Sequence, residues 1–381
     1  MDAASGASPS AESGGAASPP GVPAAASPTG APSKSPSPEA QAGVDIGLSG
    51  EHWRQTALPV NDDDSAFEDI QSSTASLSSS IMEYRTIQGR TYHSDRATNA
   101  EYWAPNDENQ NDAQDIIHHT LTLLLGGKLF RAPLETEKLQ RVLDVGTGTG
   151  LWPIDFADQN PHVEVIGTDL SPIQPGWVPP NVRFEMEDAT QEWTFKPNSF
   201  DYIHMRYLFG SIPDWDFVFE QAYRALKPGG WIETFDADAG LFGEDGSVAE
   251  NSALDTWSKV FKAAGKKFGR TFYPIEDNKQ VPGLEKAGFK NLDIWDLNVP
   301  INGFPRDPKL KEIGQFGHLS VTRDLEGMVL YAFRQVMDWE DAELHAFIAH
   351  FKAQIRDVKN CHPVFKVRIV CAQKPEDAPV E

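Results

Sequence analysis

Cysteine is nearly absent: the 381 residues hold two, Cys361 and Cys371. Their spacing fits no zinc site and excludes a disulfide-stapled fold, so they read as buried thiols in a reducing compartment. Basic residues are scarce as well. Against 56 Asp and Glu stand 33 Lys and Arg, leaving a formal net charge of −23. Phosphates would be repelled by such a surface, which argues against direct, nonspecific binding to nucleic acid. There is no dense Lys/Arg run of the nuclear-import kind, and Lys266-Lys267 reads as surface charge on a helix. Long apolar runs are missing too, so no membrane span is expected. The amino terminus has no basic region followed by an apolar core, so no signal peptide is visible. The chain therefore reads as intracellular, in the nucleus or the cytoplasm.

Apolar residues are also missing from the beginning of the chain. Residues 1–43 are almost wholly Ala, Ser, Gly and Pro. Such a segment has too little to bury to offset its ordering entropy. With the acidic stretch Asn61 to Asp69 and the Ser-rich stretch Ser72 to Ser80, it defines an expected disordered tail over 1–80. Ser8, Ser18, Ser27, Ser35 and Ser37 each precede proline. They are candidate sites for proline-directed kinases, although an inert solvated tail is the simpler reading. The chain as a whole is 40% hydrophobic, enough for one large domain or two small ones, and residues 81–381 read as a single domain.

The stretch that organises that core is VLDVGTGTG, Val142 to Gly150. Val142, Leu143 and Val145 suit a buried parallel strand. Gly146, Gly148 and Gly150 then let the backbone turn tightly and approach a ligand closely. A helix is expected from about Thr149 to Asp158, completing strand, turn and helix of a Rossmann-like half. The spacing is G-x-G-x-G rather than the dinucleotide G-x-G-x-x-G. Asp144 at the strand end would repel a pyrophosphate but suit an ammonium or sulfonium. S-adenosylmethionine meets those conditions: it carries a nucleoside, an amino acid and a cationic sulfur, and no phosphate.

Further strands follow in series. Val163 to Gly167 is the second, and Asp169 at its end lies where a carboxylate meets ribose hydroxyls. Phe184 to Met186 ends the third; beyond it Asp188 can accept from an adenine amino group and the Ala189 amide can donate to the ring. Ser199 to His204 gives a fourth strand. Leu226 to Asp236 gives a helix end, a Pro-Gly-Gly turn and a fifth strand. Before the series, Asp112 to Leu125 carries Ile116, Ile117, Leu121 and Leu124 on one helical face, closed by Gly126-Gly127. After it come helices at Val248 to Lys267 and one ending at Gly288, then strands at Asn291 to Asn298 and His362 to Cys371. Between those last strands lies a mostly helical insertion, Phe304 to Lys359, with a break at Asp338-Trp339. It either covers the substrate face or extends the core.

Taken together, these motifs resemble class I S-adenosylmethionine-dependent methyltransferases. GRTYH, YWAPND, the His118-His119 pair, GGKLFRAPL, VLDVGTGTGLWPIDFAD, HMRYLFGSIPDW and LKPGGWIE, in that order, resemble the LaeA-like family of filamentous fungi. The resemblance implies an α/β, seven-stranded Rossmann-like sheet of order 3-2-1-4-5-7-6 with strand seven antiparallel and a lid helix over the cofactor mouth. It implies Asp144, Gly146, Gly148, Gly150, Asp169, Asp188 and Ala189 as the S-adenosyl-L-methionine contacts. It also implies a role in regulating secondary metabolism with velvet-type protein partners. The alternatives are a biosynthetic enzyme acting on a small-molecule metabolite and a cofactor-binding scaffold without turnover. One departure is plain: where the family usually has an Arg before the aspartate of the lid helix, this chain has Ala113.

The catalytic assignment is thinner. His204, just past the fourth strand, is the best-placed candidate base, but a His there can equally be a packing or adenosine contact. Arg206 and Tyr207 lie near the same edge. His118 and His119 point about 100° apart on a helix, so a shared metal is not expected: one packs and the other is exposed.

Overall fold

A computed structural model describes residues 84–94 and 102–378. The tail reading over 1–80, with its Ser-Pro steps, lies outside the described residues.

Five parallel strands follow one another: β3 (Arg141–Val145), β4 (Glu164–Asp169), β5 (Val182–Met186), β6 (Phe200–Arg206) and β7 (Leu226–Phe242). With β8 (Lys290–Pro300) and β9 (Val364–Gln373) they form one sheet of order β5-β4-β3-β6-β7-β9-β8. Counted from β3 as the first, that is the expected 3-2-1-4-5-7-6, and β9 runs antiparallel to both its neighbours. Val142, Leu143 and Val145 of β3 are buried because the strand lies inside the sheet with helices over both faces. β8 is the edge strand and is mostly exposed.

The helices are set by their caps. Ahead of the sheet, α1 (Glu108–Leu124) starts before Asp112 because the Asp107 side chain accepts from Gln110 N–H and caps it. α2 (Leu151–Gln159) follows the glycine turn and tolerates Pro153 in its first turn, where no intrahelical N–H bond is lost. α3 (Trp215–Ala225) and α5 (Gln280–Ala287) pack beside each other, with Gly288 ending α5 in the left-handed region. α4 (Ala253–Phe268) starts later than Val248 because Ser252 is its cap. The insertion holds α6 (Pro308–Arg323), then α7 (Leu325–Val329) running into a π-helix (Leu330–Val336), and α8 (Asp341–Arg356). Asp338, at φ 59°, marks the expected break.

The insertion extends the core and also reaches one cavity. α6 packs on α1 and reaches the cavity described below, while α8 and the π-helix extend the core against α4 through Phe261, Phe333 and Phe347.

One element has no counterpart in the sequence reading. β1 (Arg85–Ile87) and β2 (Arg90–Tyr92) form a hairpin whose turn residues Gln88 and Gly89 both have positive φ, the two-residue turn that matches strand twist. Arg90 then grips two helix caps. Its guanidinium pairs with Asp107, the cap of α1, and with Asp324, the cap of α7, at 2.7 Å from Nη2 to each carboxylate. Cys361 and Cys371 are both buried and unpaired. Among the described residues no helix is long and apolar enough to cross a membrane.

Candidate methyl-transfer site

The carboxyl ends of β3, β4, β5 and β6 converge on one cavity of about 270 Å³. It lies where the strand order reverses, the usual ligand crevice of an open α/β sheet. Asp144, Gly146, Gly148, Asp169, Asp188 and Ala189 all line it; Gly150 does not, and instead caps α2 beside Phe184.

The glycine turn is tight for a stated reason. Gly146 has φ 69° and Gly148 φ 59°, and a Cβ on them would stand 2.5 Å from Leu208 Cδ2 and Gln114 Oε1 respectively. The sequence placed the ligand alone in that space. In the structure two protein side chains also press on it, one of them from the lid helix α1.

The acidic strand ends are not alike. Asp169 is surrounded by protein, and burial pushes its pKa up to about 6 although its oxygens accept from backbone N–H groups. Gly148 N–H donates to Oδ2 at 2.8 Å and Ser171 N–H to Oδ1 at 3.0 Å, so the carboxylate stitches the glycine turn to the end of β4. Asp144 accepts from Thr147 Oγ1 at 2.6 Å and from His204 Nδ1 at 2.7 Å. Asp188 Oδ1 accepts from Thr190 N–H at 2.9 Å and from Thr190 Oγ1 at 2.6 Å.

His204, the candidate base, sits away from the cavity. It is 1% exposed, lies outside the cavity wall, and stacks on Trp152 with ring centroids 3.9 Å apart and planes 4° apart. A base must reach its proton. Here the imidazole is sealed beneath Trp152 and serves to hold Asp144, so the packing alternative is the one the geometry supports. Sequence position put His204 at the strand end; it shares a face of β6 with Arg206, but Trp152 packs over its ring while Arg206, one step nearer the strand end, reaches the cavity.

The histidine pair divides as expected. His119 is exposed, with its ring edge against Phe316, and His118 is buried in the cavity wall. His118 Nδ1 accepts from Arg206 Nη2 at 2.8 Å, and Nε2 lies 2.9 Å from Asp155 Oδ2. Desolvation lowers the His118 pKa against the pull of Asp155, so the ring is neutral and Nε2–H is the donor. Among the described residues no group of His, Cys, Asp or Glu could hold a metal ion. Ala113 is fully buried in the apolar core on α1 and puts no charge over the mouth.

The lid supplies groups that spacing did not single out. Asn106 and Gln110 line the cavity, and Asn106 Oδ1 and Gln110 Oε1 are buried acceptors without a protein partner. A donor-bearing ligand would satisfy them, since unpaired buried acceptors are costly. Beyond the strand ends the same cavity turns apolar, walled by Leu241, Trp257, Phe261, Ile301, Val321 and Met328. These residues come from β7, α4, the β8 end, α6 and α7, so no local pattern could have grouped them. Trp257 Nε1–H is committed to Ala239 O at 2.8 Å and Ser320 Oγ donates to Gly317 O at 2.9 Å.

A doubly wound sheet of this order, a G-x-G-x-G turn with its cradle, and carboxylates at successive strand ends define a class I S-adenosylmethionine-dependent methyltransferase. Residues 112–294 match the methyltransferase domain family. Over 330 residues the chain is 35% identical to methyltransferase pytC of Aspergillus terreus, covering 84% of this chain and 99% of that one. It is 34% identical to the secondary metabolism regulator LAE1 of Cochliobolus heterostrophus, over 76% of this chain and 94% of that one. With the protein-methionine methyltransferase laeA of Emericella nidulans it shares 30% identity over 77% of each. The chain belongs to the LaeA-like methyltransferase family.

Proposed function

We propose that this methyltransferase transfers a methyl group to an acceptor held in the apolar half of the cavity, and does so in the regulation of secondary metabolism. The observation that carries the first part is the continuity of the cavity from the acidic strand ends to the chamber around Trp257 and Phe261. The regulatory part is supported by relatives named secondary metabolism regulators. On this reading velvet-type proteins are the partners, the nucleus is the place of action, and neither nucleic acid nor membrane is touched directly.

In the donor half, Asp169 receives the ribose hydroxyls, Asp188 and the Ala189 amide read the adenine, and the turn from Asp144 to Gly148 borders the methionine end. The buried acceptors Asn106 Oδ1 and Gln110 Oε1 fit a ligand rich in N–H and O–H donors. S-adenosylmethionine supplies an already activated methyl group. What the protein must add is alignment and exclusion of water. The lid helix and α6 pack together along the cavity wall, and Trp257, Phe261 and Met328 make its far end apolar. Among the described residues, the six named as walling the apolar half carry no titratable side chain. An acceptor that needs no base, such as a thioether sulfur, a tertiary amine or an atom already anionic, suits such a wall.

A second reading, methylation of a small metabolite, is favoured by that same enclosed apolar chamber and by the similarity to pytC. Isotopically labelled S-adenosylmethionine separates the two when added with the enzyme to a cell extract. Label in protein supports the regulator; label confined to extractable small molecules replaces it with the metabolite enzyme. Donor bound with no label transferred to either fraction makes the chain a scaffold.

A further inference from the structure

Arg206 stands in the cavity wall, and among the described residues its guanidinium has no paired carboxylate and one hydrogen-bond partner, the His118 ring. That is an unusual arrangement. A guanidinium has five N–H donors in a rigid fork, and burying it without an anion is costly. Desolvation accordingly pulls its pKa below the ordinary value, offset only by more distant charges such as Asp144. His118 does not compensate the charge, because its Nδ1 accepts as a neutral imidazole. It orients the fork: Asp155 fixes the ring through Nε2, and the ring fixes Nη2.

The neighbourhood restricts the anion. Asp144, Asp169, Glu187 and Asp188 share the cavity wall, so a dianion such as a phosphate would be repelled. A zwitterion, with one carboxylate beside one ammonium, satisfies both signs. Arg206 follows Met205, which pairs with Val145 immediately before the glycine turn. The guanidinium thus belongs to the donor half of the cavity rather than to the chamber around Trp257. We propose that Arg206 is the receptor for the carboxylate at the methionine end of S-adenosylmethionine, with His118 and Asp155 as positioning residues. The lid helix that carries His118 is thereby tied to the occupancy of the donor site. The inference rests on the donor site described above.

The test compares equilibrium binding of S-adenosylhomocysteine with that of its decarboxylated analogue, which lacks only the carboxylate, by calorimetry. Wild-type protein should favour the carboxylate form by roughly tenfold to a hundredfold, as expected of a bidentate charge-assisted pair. Arg206→Met should lose that preference while binding the decarboxylated analogue as before. Arg206→Lys, which keeps the charge and loses the fork, should fall between. His118→Gln should reduce the preference without abolishing it. Melting curves without ligand show which variants are folded, and the Lys variant keeps the test open if the Met variant is not. Equal discrimination in wild type and both Arg206 variants would overturn the proposal. So would retained discrimination with loss of binding of octanoate, an apolar carboxylate probe, since that would move the anion to the acceptor side. Failure of wild type to bind S-adenosylhomocysteine at all would instead strike the donor site itself.

Discussion

Gly148→Ala is the perturbation that bears most directly on the donor site. Gly148 has φ 59°, and an alanine Cβ there would stand 2.5 Å from Gln114 Oε1. Holding alanine in the left-handed region costs about 1–2 kcal/mol. The clash itself is cheap for the fold, because Gln114 is a flexible side chain on the lid helix and its far end can swing away. A domain of about 150–250 residues loses roughly 2–4 °C of melting temperature per kcal/mol, and a larger one less. The ligand-free variant should therefore melt only a few degrees early. The displaced amide goes into the cavity that both residues line, and Gly148 N–H is held by Asp169 at 2.8 Å, so the turn cannot back away without breaking that bond. Donor affinity should fall about a hundredfold. At a ligand concentration of about 100 times the wild-type Kd, ligand stabilisation is about 2.7 kcal/mol, and a hundredfold weaker site retains only about 0.4 kcal/mol of it. Melting scans with and without S-adenosylhomocysteine thus read the two costs separately. A variant that melts much earlier yet keeps the full ligand shift would refute the reasoning. Gly146→Ala should behave differently, since its Cβ meets Leu208, which is packed in the core, and the cost falls on stability as well.

Three other outcomes are expected. Asp169 has its carboxyl raised from 3.8 to about 6 by burial. Between about 4 and 6 the folded state holds a proton that the unfolded chain has lost, so this group's contribution to stability declines as pH rises through that window. Donor binding runs the other way, because it uses the ionised oxygens: Kd by calorimetry should be roughly tenfold weaker at pH 5 than at pH 7, and Asp169→Asn should flatten the profile. Arg90→Met strips the cation from Asp107 and Asp324, whose side chains are 23% and 5% exposed, and should cost about 3 kcal/mol in urea unfolding; a loss under about 1 kcal/mol would mean that the hairpin is not a clamp. A chain beginning at Ile81, which keeps the Arg90 hairpin, should melt within a few degrees of the full-length protein, and a large drop would mean that residues 1–80 contribute to the fold.

Local pattern determined the sheet. Val142 to Val145 and Val163 to Gly167 each announce a strand by a short apolar run ended by turn or acidic residues, Ser199 to His204 does so by alternating Phe200, Tyr202 and flanking residues, and all three fall on strands of the observed sheet. The strand ends came with them, because a parallel strand delivers its last residue to the same edge as its neighbours. That is why Asp144, Asp169 and Asp188 were legible before any coordinate, and why the glycine turn between β3 and α2 was too. Helix ends were less legible: α1 begins before Asp112 and α4 after Val248, since capping by Asp107 and Ser252 depends on side-chain geometry. Only the tertiary structure decided the rest. The clamp joining Arg90 to Asp107 and Asp324 links residues far apart in the chain, and the chamber of Leu241, Trp257, Ile301 and Met328 draws on four separate elements. His204 and Arg206 lie at one strand end, yet Trp152 packs over the first while the second opens to the cavity beside His118. Periodicity along a chain reports which face of an element is buried. What a buried side chain touches is set by elements arriving from elsewhere in the sequence, and that information exists only after the chain has packed.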